Sequence, residues 1–390
     1  MSYLNRITGL IMVCAAVGMV PVTLADNTSW PVPPLSKTPV PVIPAKSWLL
    51  MEHHNGWVLA QHQGTRSLPI ASLTKVMTAY LVFDRLRAGE VMLGDKVMIS
   101  KKAWGMPGAR MFLPAHSSIR LESLLKGMII ESANDAAMAL AEHVAGSEQA
   151  FVKRMNRVAR ELGLMHTFFD NSTGLPTGKN RSSAHDLGRL ASILIREFPQ
   201  FYTWFGEKEF AFRKIRFYNR NNLLWQTPGV DGMKTGQSRA AGYCLIATTQ
   251  RQDMRLVAIL LGAPSKKSRN ESMKTLLGFG FKAYETRFLL DATTVVTRMK
   301  ILKGSSYQVD LGLMQALHVT LPRGAFNMLS ANVYTGAHPS APIEAGRQLG
   351  HLTLNYEGQQ LGEYPLMALY PVSRGKWYHG LLHQVQQWWE

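Results

Sequence analysis

The sequence predicts an α/β protein followed by a smaller all-β region. Three observations predict this fold class: β-rich runs lie at both ends of residues 47–288, helical periodicity fills the middle of that range, and short strands alternate with turns after it. A chain of 390 residues is also too long for one small core. We therefore expect the first and last strands of residues 47–288 to share one sheet, with a helical lobe inserted between them.

The N-terminus is typical of an export signal. Met1–Arg6 carries one positive charge, Ile7–Val20 is apolar, and Thr23–Ala25 supplies the small residues that a signal peptidase recognises. An uncleaved anchor helix is the alternative, but the apolar run is short for a membrane span. We predict a cleaved signal peptide over residues 1–25 and a proline-rich linker over residues 26–46.

A hairpin opens the α/β region. The dipeptide Asn55-Gly56 separates two β-rich runs, Ser47–Met51 and Trp57–Gln61, and is a strong hairpin signal. Apolar residues at helical spacing then predict a helix that begins in the segment around Ser72. Further helices are predicted over Leu121–Ile130, Ala136–Val144, Ala150–Leu162 and Ala184–Arg196. The region is completed by predicted strands over Gly232–Gly236, Gly242–Thr249 and Arg255–Gly262 and a helix over Asn270–Tyr284.

Two further regions follow. Residues 289–372 hold short β-rich runs between turns, which predicts a small β-rich C-terminal domain. These runs are Val295–Ile301, Tyr307–Leu311, His318–Pro322, Asn332–Tyr334, Leu349–Tyr356 and Leu366–Leu369. Residues 373–390 place tryptophan and aliphatic residues at three- and four-residue spacing, opposite a face of histidine and glutamine. This pattern predicts an amphipathic helix that lies in a membrane interface, and a helix docked on its own domain is the alternative.

The net charge of +17 restricts the possible partners. The basic residues are scattered and form no stripe interleaved with aromatic residues, so we predict no nucleic-acid binding. For an exported protein, an anionic membrane surface or an acidic wall polymer is the expected partner. No H-E-x-x-H motif occurs, and His379 and His383, which have ligand spacing, fall on the polar side of the terminal helix. We therefore predict no metal and no cofactor.

Three short motifs carry the predicted chemistry. Ser72 and Lys75 form S-x-x-K, which places both side chains on one face of a helix, where the lysine can take the serine's proton. The other two motifs are Ser132-Ala133-Asn134 and Lys234-Thr235-Gly236. Each motif alone also fits an ordinary helix, an N-capped turn or a solvated strand end, so the prediction depends on their joint occurrence.

The order and separation of these motifs resemble those of the serine penicillin-recognising enzymes. Other segments narrow the resemblance to the low-molecular-mass penicillin-binding proteins that are D-alanyl-D-alanine carboxypeptidases of peptidase family S11. These segments are Thr173–Pro176, Ser183–Asp186, Asn219–Trp225, Val230–Gly236, Ala241–Tyr243, Leu321–Gly324, Ala341–Ile343 and Gly350–Leu352. The resemblance implies a β-lactamase/transpeptidase-like domain over residues 47–288, with an antiparallel sheet flanked by helices and a helical lobe.

For function, the resemblance implies a serine-type D-Ala-D-Ala carboxypeptidase. Such an enzyme removes the terminal D-alanine from peptidoglycan pentapeptides through an acyl-enzyme, here on Ser72, and is acylated by β-lactams. The helix predicted over residues 373–390 resembles the membrane anchor of that group. The expected location is therefore the periplasmic face of the inner membrane, to which the exported protein would be peripherally attached.

The chemistry gives each residue type a role. Ser72 would attack a carbonyl, and Lys75, desolvated beside another cation, would act as the base. Ser132 would pass a proton to the leaving nitrogen, and Asn134 would hydrogen-bond Lys75 and a substrate amide. Ser72, Lys75 and Ser132 are therefore the predicted catalytic residues.

The third motif is predicted to bind the substrate. Lys234 would lower the pKa of Lys75 and attract a carboxylate, to which Thr235 would donate a hydrogen bond. Gly236 would let the substrate backbone approach the strand edge closely, so that the substrate adds like a further strand.

Two assignments follow from the family resemblance. The backbone N–H groups of Ser72 and Gln237 form the predicted oxyanion hole, and Arg220 is predicted to help hold the substrate's C-terminal carboxylate. Ala133 stands where the best-known relatives have glycine, and Gln237 where they often have histidine. Since only the backbone of Gln237 would serve the oxyanion, we expect an altered rate or substrate preference and no loss of activity.

Three alternatives remain open. A class A-like β-lactamase uses the same serine and lysine but adds a loop glutamate, and Asp170–Ser183 contains none. A D,D-endopeptidase that cleaves peptidoglycan cross-links is closer, although such relatives are usually shorter. An inactive wall-binding protein would keep the fold, but the motif residues are all intact here.

Overall fold

The structure, a computed structural model, describes residues 32–176 and 179–376. The predicted signal peptide lies outside these residues, as do residues 377–390 of the predicted terminal helix. The described residues divide into two compact units, of which the larger spans Lys37–Ala283 and the smaller contains Pro33–Ser36 and residues 284–376. Residues 32–46, in the predicted linker, form no helix or strand.

The larger unit combines antiparallel strands with helices. Its strands are β1 (Ser47–Glu52), β2 (Val58–His62), β3 (Leu68–Pro69), β4 (Lys96–Met98), β5 (Ser118–Arg120), β6 (Arg181–Ser182), β7 (Glu209–Phe212), β8 (Ile215–Tyr218), β9 (Val230–Ser238), β10 (Gly242–Arg251) and β11 (Met254–Ala263). Its helices are α1 (Lys75–Arg87), α2 (Lys101–Trp104), α3 (Leu121–Ile130), α4 (Asn134–Ala145), α5 (Glu148–Glu161), α6 (Ala184–Glu197), α7 (Pro199–Tyr202), α8 (Leu223–Gln226) and α9 (Lys266–Ala283). Two 3-10 turns cover Ala71–Thr74 and Thr203–Gly206.

One five-stranded sheet organises the larger unit, in the order β2-β1-β11-β10-β9. All neighbouring strands are antiparallel, and β1 pairs with β11 over its whole length. Strands from both ends of the unit therefore share one sheet, as the sequence predicts. β10 and β11 are continuous apolar runs with buried centres, which is the pattern of strands covered on both faces.

Two glycines let helices pack closely on opposite faces of this sheet. On α6, a Cβ at Gly188 would lie 2.8 Å from Met51 Sδ and 2.9 Å from Leu49 Cδ2. On α9, a Cβ at Gly280 would lie 3.0 Å from Leu50 Cδ2. Because side chains alternate along a strand, Leu50 faces the opposite side from its two neighbours. The sheet is therefore sandwiched between α6 and α9.

Helix α1 lies at the centre of the helical lobe. All residues from Lys75 to Phe83 are buried, and α3, α4, α5 and α6 pack around them. Phe83 is completely buried and stacks on Phe201 with ring centroids 4.8 Å apart. A lysine is almost never fully buried without a partner, so Lys75 at the start of this helix marks a functional position.

The segment that carries S-x-x-K differs in detail from the sequence prediction. The sequence predicts a helix that begins at this motif, but a 3-10 turn covers Ala71–Thr74 and α1 begins at Lys75. In a 3-10 turn, side chains three residues apart eclipse one another. Ser72 and Lys75 therefore still share one face, although the backbone between them is wound more tightly.

The end of the larger unit also differs from the prediction. The last helix ends at Ala283, and Tyr284 begins a strand because this segment pairs with the strand that ends at Pro322. The sequence-based boundary at residues 288 and 289 falls inside that strand. The β7–β8 hairpin has no signal in the sequence, because its turn holds Arg213 in a left-handed conformation without a glycine or proline.

Over its described residues, the smaller unit is all-β, as the sequence predicts. Its strands are β12 (Tyr284–Leu290), β13 (Val295–Lys300), β14 (Gln308–Gly312), β15 (Leu317–Pro322), β16 (Leu329–Thr335), β17 (Gln348–Tyr356) and β18 (Gln359–Ala368), with a 3-10 turn over Phe326–Met328. Five of them form a sheet in the order β13-β14-β18-β17-β16, and β12 pairs with β15.

Strand β18 is longer than the run Leu366–Leu369 that the sequence predicts. Its polar first half conceals the strand pattern, but it pairs with β17 in a hairpin. The turn residues Glu357 and Gly358 both have positive φ angles, which match the twist of the paired strands. Over residues 32–176 and 179–376, no helix is both long and apolar enough to span a membrane.

We expect the substitution Phe83→Ala to lower the free energy of unfolding of the larger unit by about 3–5 kcal/mol, because it leaves a cavity in the centre of the lobe. Met165→Ala is the matched control: Met165 is 81% exposed, and its loss should change stability by less than about 0.5 kcal/mol. Urea-unfolding curves of both variants measure the difference. Equal stability of the two variants would contradict the central place of α1 in the core.

Candidate active site

Lys75 holds the centre of the candidate site. Its Nζ lies 3.1 Å from Ser72 Oγ, so the first motif forms a direct contact between hydroxyl and amine. Two further oxygens surround the same nitrogen: Asn134 Oδ1 at 2.7 Å and the Thr173 backbone carbonyl at 2.6 Å. The lysine therefore contacts a turn, a helix start and a loop that are far apart in the sequence.

The three oxygens around Lys75 are not equivalent. The Thr173 carbonyl is an obligate acceptor, and Asn134 is oriented because its Nδ2 donates to the Pro107 carbonyl at 2.7 Å, which leaves Oδ1 to face the lysine. A charged ammonium donates to all three oxygens. A neutral amine has two N–H groups, which the two obligate acceptors take up, and its lone pair is left to accept the Ser72 proton. The geometry therefore aims the base at the hydroxyl.

Burial and neighbouring charges favour the neutral form of the Lys75 amine. Burial is the main cause that holds the pKa of Lys75 well below its usual value, and the positive charge of Lys234 adds to it, while Asp135 opposes the shift. Burial, together with the charge of Arg220, lowers the pKa of Lys234 to about 7, and Glu131 opposes this shift. The positive charge of Lys234 thus disfavours the charged form of Lys75.

The second motif connects α3 to α4. Ser132 is buried in the turn between them, with a left-handed φ of 67°, and Asn134 is the first residue of α4. Non-glycine residues in this conformation are uncommon and cluster at functional sites. The next residue, Asp135, accepts the backbone N–H groups of Met111 and Leu113 at 3.0 and 3.2 Å, which fixes the loop in front of the motif.

The third motif lies on β9, which is an edge strand of the five-stranded sheet. Lys234 and Thr235 are buried in the middle of the strand, and Gln237 is exposed near its end. A Cβ at Gly236 would lie 2.8 Å from the Ile70 carbonyl oxygen, just before the turn that carries the nucleophile. The glycine therefore brings the strand against the Ser72 turn, a role that sequence reasoning gave only to the approach of substrate.

Arg220 lies between the second and third motifs. Its guanidinium pairs with the buried Glu131 carboxylate, directly before Ser132, and its backbone N–H donates to the Ile130 carbonyl at 3.3 Å. The neighbouring Asn221 donates to the Gly232 carbonyl on β9 at 2.9 Å. The Arg220 side chain remains about half exposed, with a relative accessibility of 54%. It can therefore meet a substrate carboxylate at the rim while its charge acts on Lys234.

Sequence reasoning missed two parts of the site. Glu131, which holds Arg220, had one available signal: an acidic residue directly before the second motif. The Thr173 carbonyl has no sequence signal, because side-chain patterns do not indicate the position of a backbone oxygen. Its loop is brought to the nucleophile by Gly174, where φ is +81° and a Cβ would lie 2.0 Å from the Ala71 carbonyl oxygen.

No metal site accompanies this arrangement in the part of the chain that the structure describes. Over residues 32–176 and 179–376, no group of three or more histidine, cysteine, aspartate and glutamate side chains could hold an ion.

Comparison with known proteins extends over both units. The family model for D-alanyl-D-alanine carboxypeptidases of peptidase family S11 matches residues 35–265, and that for the C-terminal domain of penicillin-binding protein 5 matches residues 284–374. The chain is 38% identical to D-alanyl-D-alanine carboxypeptidase DacC of Escherichia coli over 344 residues, which cover 86% of each chain. Penicillin-binding protein 5 of Haemophilus influenzae superposes with a TM-score of 0.80 at 33% identity, covering 86% of this chain and all of that one.

A second type of relative matches less of the chain. A D-alanyl-D-alanine endopeptidase of Pseudomonas aeruginosa is 32% identical over 266 residues, which cover 65% of this chain and 82% of that protein.

We expect the substitution Lys234→Gln to move the acid limb of the pH profile of Ser72 acylation to higher pH. Removing the positive charge raises the pKa of Lys75, so a higher pH is needed to reach its neutral form. The rate of labelling by a fluorescent penicillin, measured as a function of pH, gives the position of this acid limb.

Lys267→Gln is the matched control, because this lysine is 85% exposed at its side chain. It removes the same formal charge and should leave the limb in place. A limb that stays fixed or moves to lower pH in Lys234→Gln would show that Lys234 does not set the protonation of the base.

Proposed function

The chain belongs to the D-alanyl-D-alanine carboxypeptidases of peptidase family S11, and we propose that it removes the terminal D-alanine from peptidoglycan pentapeptides with Ser72 as the nucleophile. The observation that carries the proposal is the position of Lys75 Nζ, 3.1 Å from Ser72 Oγ and held by two obligate acceptors. A serine hydroxyl becomes a useful nucleophile when an adjacent base takes its proton.

Acylation proceeds in two bond changes. Ser72 Oγ attacks the carbonyl carbon of the bond between the last two D-alanines while Lys75 accepts the hydroxyl proton. The tetrahedral oxyanion is held by the backbone N–H groups of Ser72 and Gln237. The C–N bond then breaks as Lys75 returns the proton through the Ser132 hydroxyl to the leaving nitrogen, and D-alanine departs. Water cleaves the remaining ester and restores the serine.

Binding of the substrate uses the rim and the edge strand. Arg220, Lys234 and Thr235 offer a guanidinium, a buried amine and a hydroxyl to the substrate's C-terminal carboxylate. Edge strands present unpaired backbone groups that can pair with an extended peptide, and β9 ends its sheet. A substrate that lies along β9 places its last peptide bond over the Ser72 turn, which packs against the strand at Gly236.

The same geometry accounts for acylation by β-lactams. Ser72 opens the lactam amide as it opens the peptide. The leaving nitrogen stays attached to the acyl group through the rest of the opened antibiotic and does not diffuse away.

A β-lactamase activity has less support. Class A enzymes use a loop glutamate to activate the water that clears the ester, and Asp170–Ser183 contains none. Two glutamates near the loop or the motifs already have partners and are not free to activate a water. Glu131 pairs with Arg220, and Glu148 accepts hydrogen bonds from Ser172 and Lys102.

The other two alternatives are also weaker. The endopeptidase relative matches 65% of the chain, whereas the carboxypeptidase family model and the C-terminal domain model together extend from residue 35 to residue 374. An inactive wall-binding protein has no need for a lysine buried against a serine hydroxyl.

We also propose that the protein is exported and attached to the periplasmic face of the inner membrane. The apolar leader over residues 1–25 and the amphipathic pattern over residues 373–390 support this location. The net charge of +17 suits an anionic membrane surface.

Incubation of the protein with pentapeptide-containing sacculi, followed by mass spectrometry of the muropeptides, tests the activity. We expect release of one D-alanine per pentapeptide without loss of cross-linked dimers. Ser72→Ala should abolish both this release and labelling by fluorescent penicillin, while Ser306→Ala, an exposed serine of the smaller unit, should keep both.

Each contrary outcome favours one alternative. Loss of dimers would identify an endopeptidase, and rapid turnover of penicillin would identify a β-lactamase. Folded wild-type protein that neither labels nor releases D-alanine would be a wall-binding protein.

A further inference from the structure

The loop that presents the Thr173 carbonyl to Lys75 is anchored from outside by one carboxylate. Glu148, the first residue of α5, accepts both the backbone N–H of Ser172 at 3.2 Å and its hydroxyl at 3.0 Å, through the same oxygen. Its other oxygen accepts from Lys102 Nζ at 2.8 Å. The carboxylate is mostly buried, with 13% of its side chain accessible, whereas the lysine is 58% accessible.

We propose that Glu148 is a positioning residue for acylation, which acts through Ser172 on the Thr173 carbonyl and so on the direction of the Lys75 amine. The inference rests on the proposed function and adds to it a residue outside the three motifs. No sequence motif includes Glu148, and it does not contact the reacting atoms.

The contacts of Ser172 explain why this residue controls the carbonyl after it. Its N–H and hydroxyl are held by Glu148, and its carbonyl accepts the Thr78 hydroxyl of α1 at 2.7 Å. Thr78 lies one turn after Lys75 on the same helix. The peptide that leads into Thr173 is thus fixed at one end to α5 and at the other to the helix that carries the base.

The other bonds of the loop come from neutral side chains. Asn171 Oδ1 accepts the N–H groups of Thr173 and Gly174 at 3.2 and 2.7 Å, which sets the local shape of the loop. Asn180 Nδ2 donates to Asn171 Oδ1 at 3.1 Å and to the Thr74 hydroxyl at 3.0 Å, so a second connection ties the loop to the turn before Lys75. Glu148 differs from both because its carboxylate is paired with Lys102, and charge-assisted hydrogen bonds are roughly twice as strong as neutral ones.

Loss of Glu148 should change both the rate and the pH dependence of acylation. With the Thr173 carbonyl displaced, the neutral amine keeps one obligate acceptor, so its lone pair no longer points consistently at Ser72. The ammonium form also loses an acceptor, which lowers the pKa of Lys75. The charges that face Lys75 from β9 and α4, Lys234 and Asp135, are unchanged. The plateau rate should fall and the acid limb should move to lower pH.

The test measures acylation by a fluorescent penicillin across the pH range in Glu148→Ala, Glu148→Gln, Ser172→Ala and the double alanine variant. We expect a loss of at least about tenfold in the plateau rate of Glu148→Ala, since a misplacement of about 1 Å can cost on the order of 100-fold. Glu148→Gln should recover most of the rate, because an amide oxygen still accepts from Ser172. The double variant should lose no more than the larger single loss, because both substitutions break one connection.

Glu161→Ala is the matched control on the same helix, because Glu161 pairs with Arg157 and is 60% accessible. It should leave both the rate and the limb unchanged. A merely structural role for Glu148 would lower the melting temperature or the labelled fraction without moving the limb. If Glu148→Ala fails to fold, Ser172→Ala carries the same prediction, because it removes the hydroxyl half of the contact.

Two outcomes overturn the inference: a wild-type rate and limb in folded Glu148→Ala and Ser172→Ala, or losses that simply add in the double variant. Failure of the proposed function gives a different result. In that case the wild-type protein itself is not labelled at Ser72, which overturns the proposed function and this inference together.

Discussion

The site depends on one constraint: the Lys75 amine has two neighbours that can only accept. Because Asn134 Oδ1 and the Thr173 carbonyl take up its N–H groups, the lone pair of the neutral form is left for Ser72. No additional base is needed, and no histidine or carboxylate touches the hydroxyl among the hydrogen bonds of the described residues. The rest of the larger unit serves to keep this amine buried, oriented and partly uncharged.

The fold meets these demands through close backbone packing. Helix α1 carries Lys75 into the core, and the 3-10 turn before it leaves Ser72 partly exposed. Gly236 and Gly174 bring β9 and the Thr173 loop against that turn at distances that a side chain would prevent. Burying two lysines beside each other costs folding free energy. The large apolar core around α1 offsets this cost, as expected when function requires a destabilised site.

Much of this architecture could be read from the sequence. The three motifs, the hairpin at Asn55-Gly56 and the shared sheet follow from local patterns, because side-chain type and spacing determine them. The features that could not be predicted are contacts between residues that lie far apart in the sequence. The Thr173 carbonyl and the Glu148–Ser172 contact are of this kind, since neither alters a hydrophobic period or completes a motif. The strand at Tyr284–Leu290 was missed because its pairing with β15 overrides the helical pattern before it.

The most direct test of this account is the pKa of Lys75 itself. Protein labelled with 13C at the lysine ε-carbon, with the Lys75 signal assigned by its loss in Lys75→Ala, can be titrated by NMR. The account predicts that this signal titrates well below the range of the exposed lysines in the same spectrum. A Lys75 signal that titrates together with the exposed lysines would contradict it, because the amine would then be charged at neutral pH and could not accept the serine's proton.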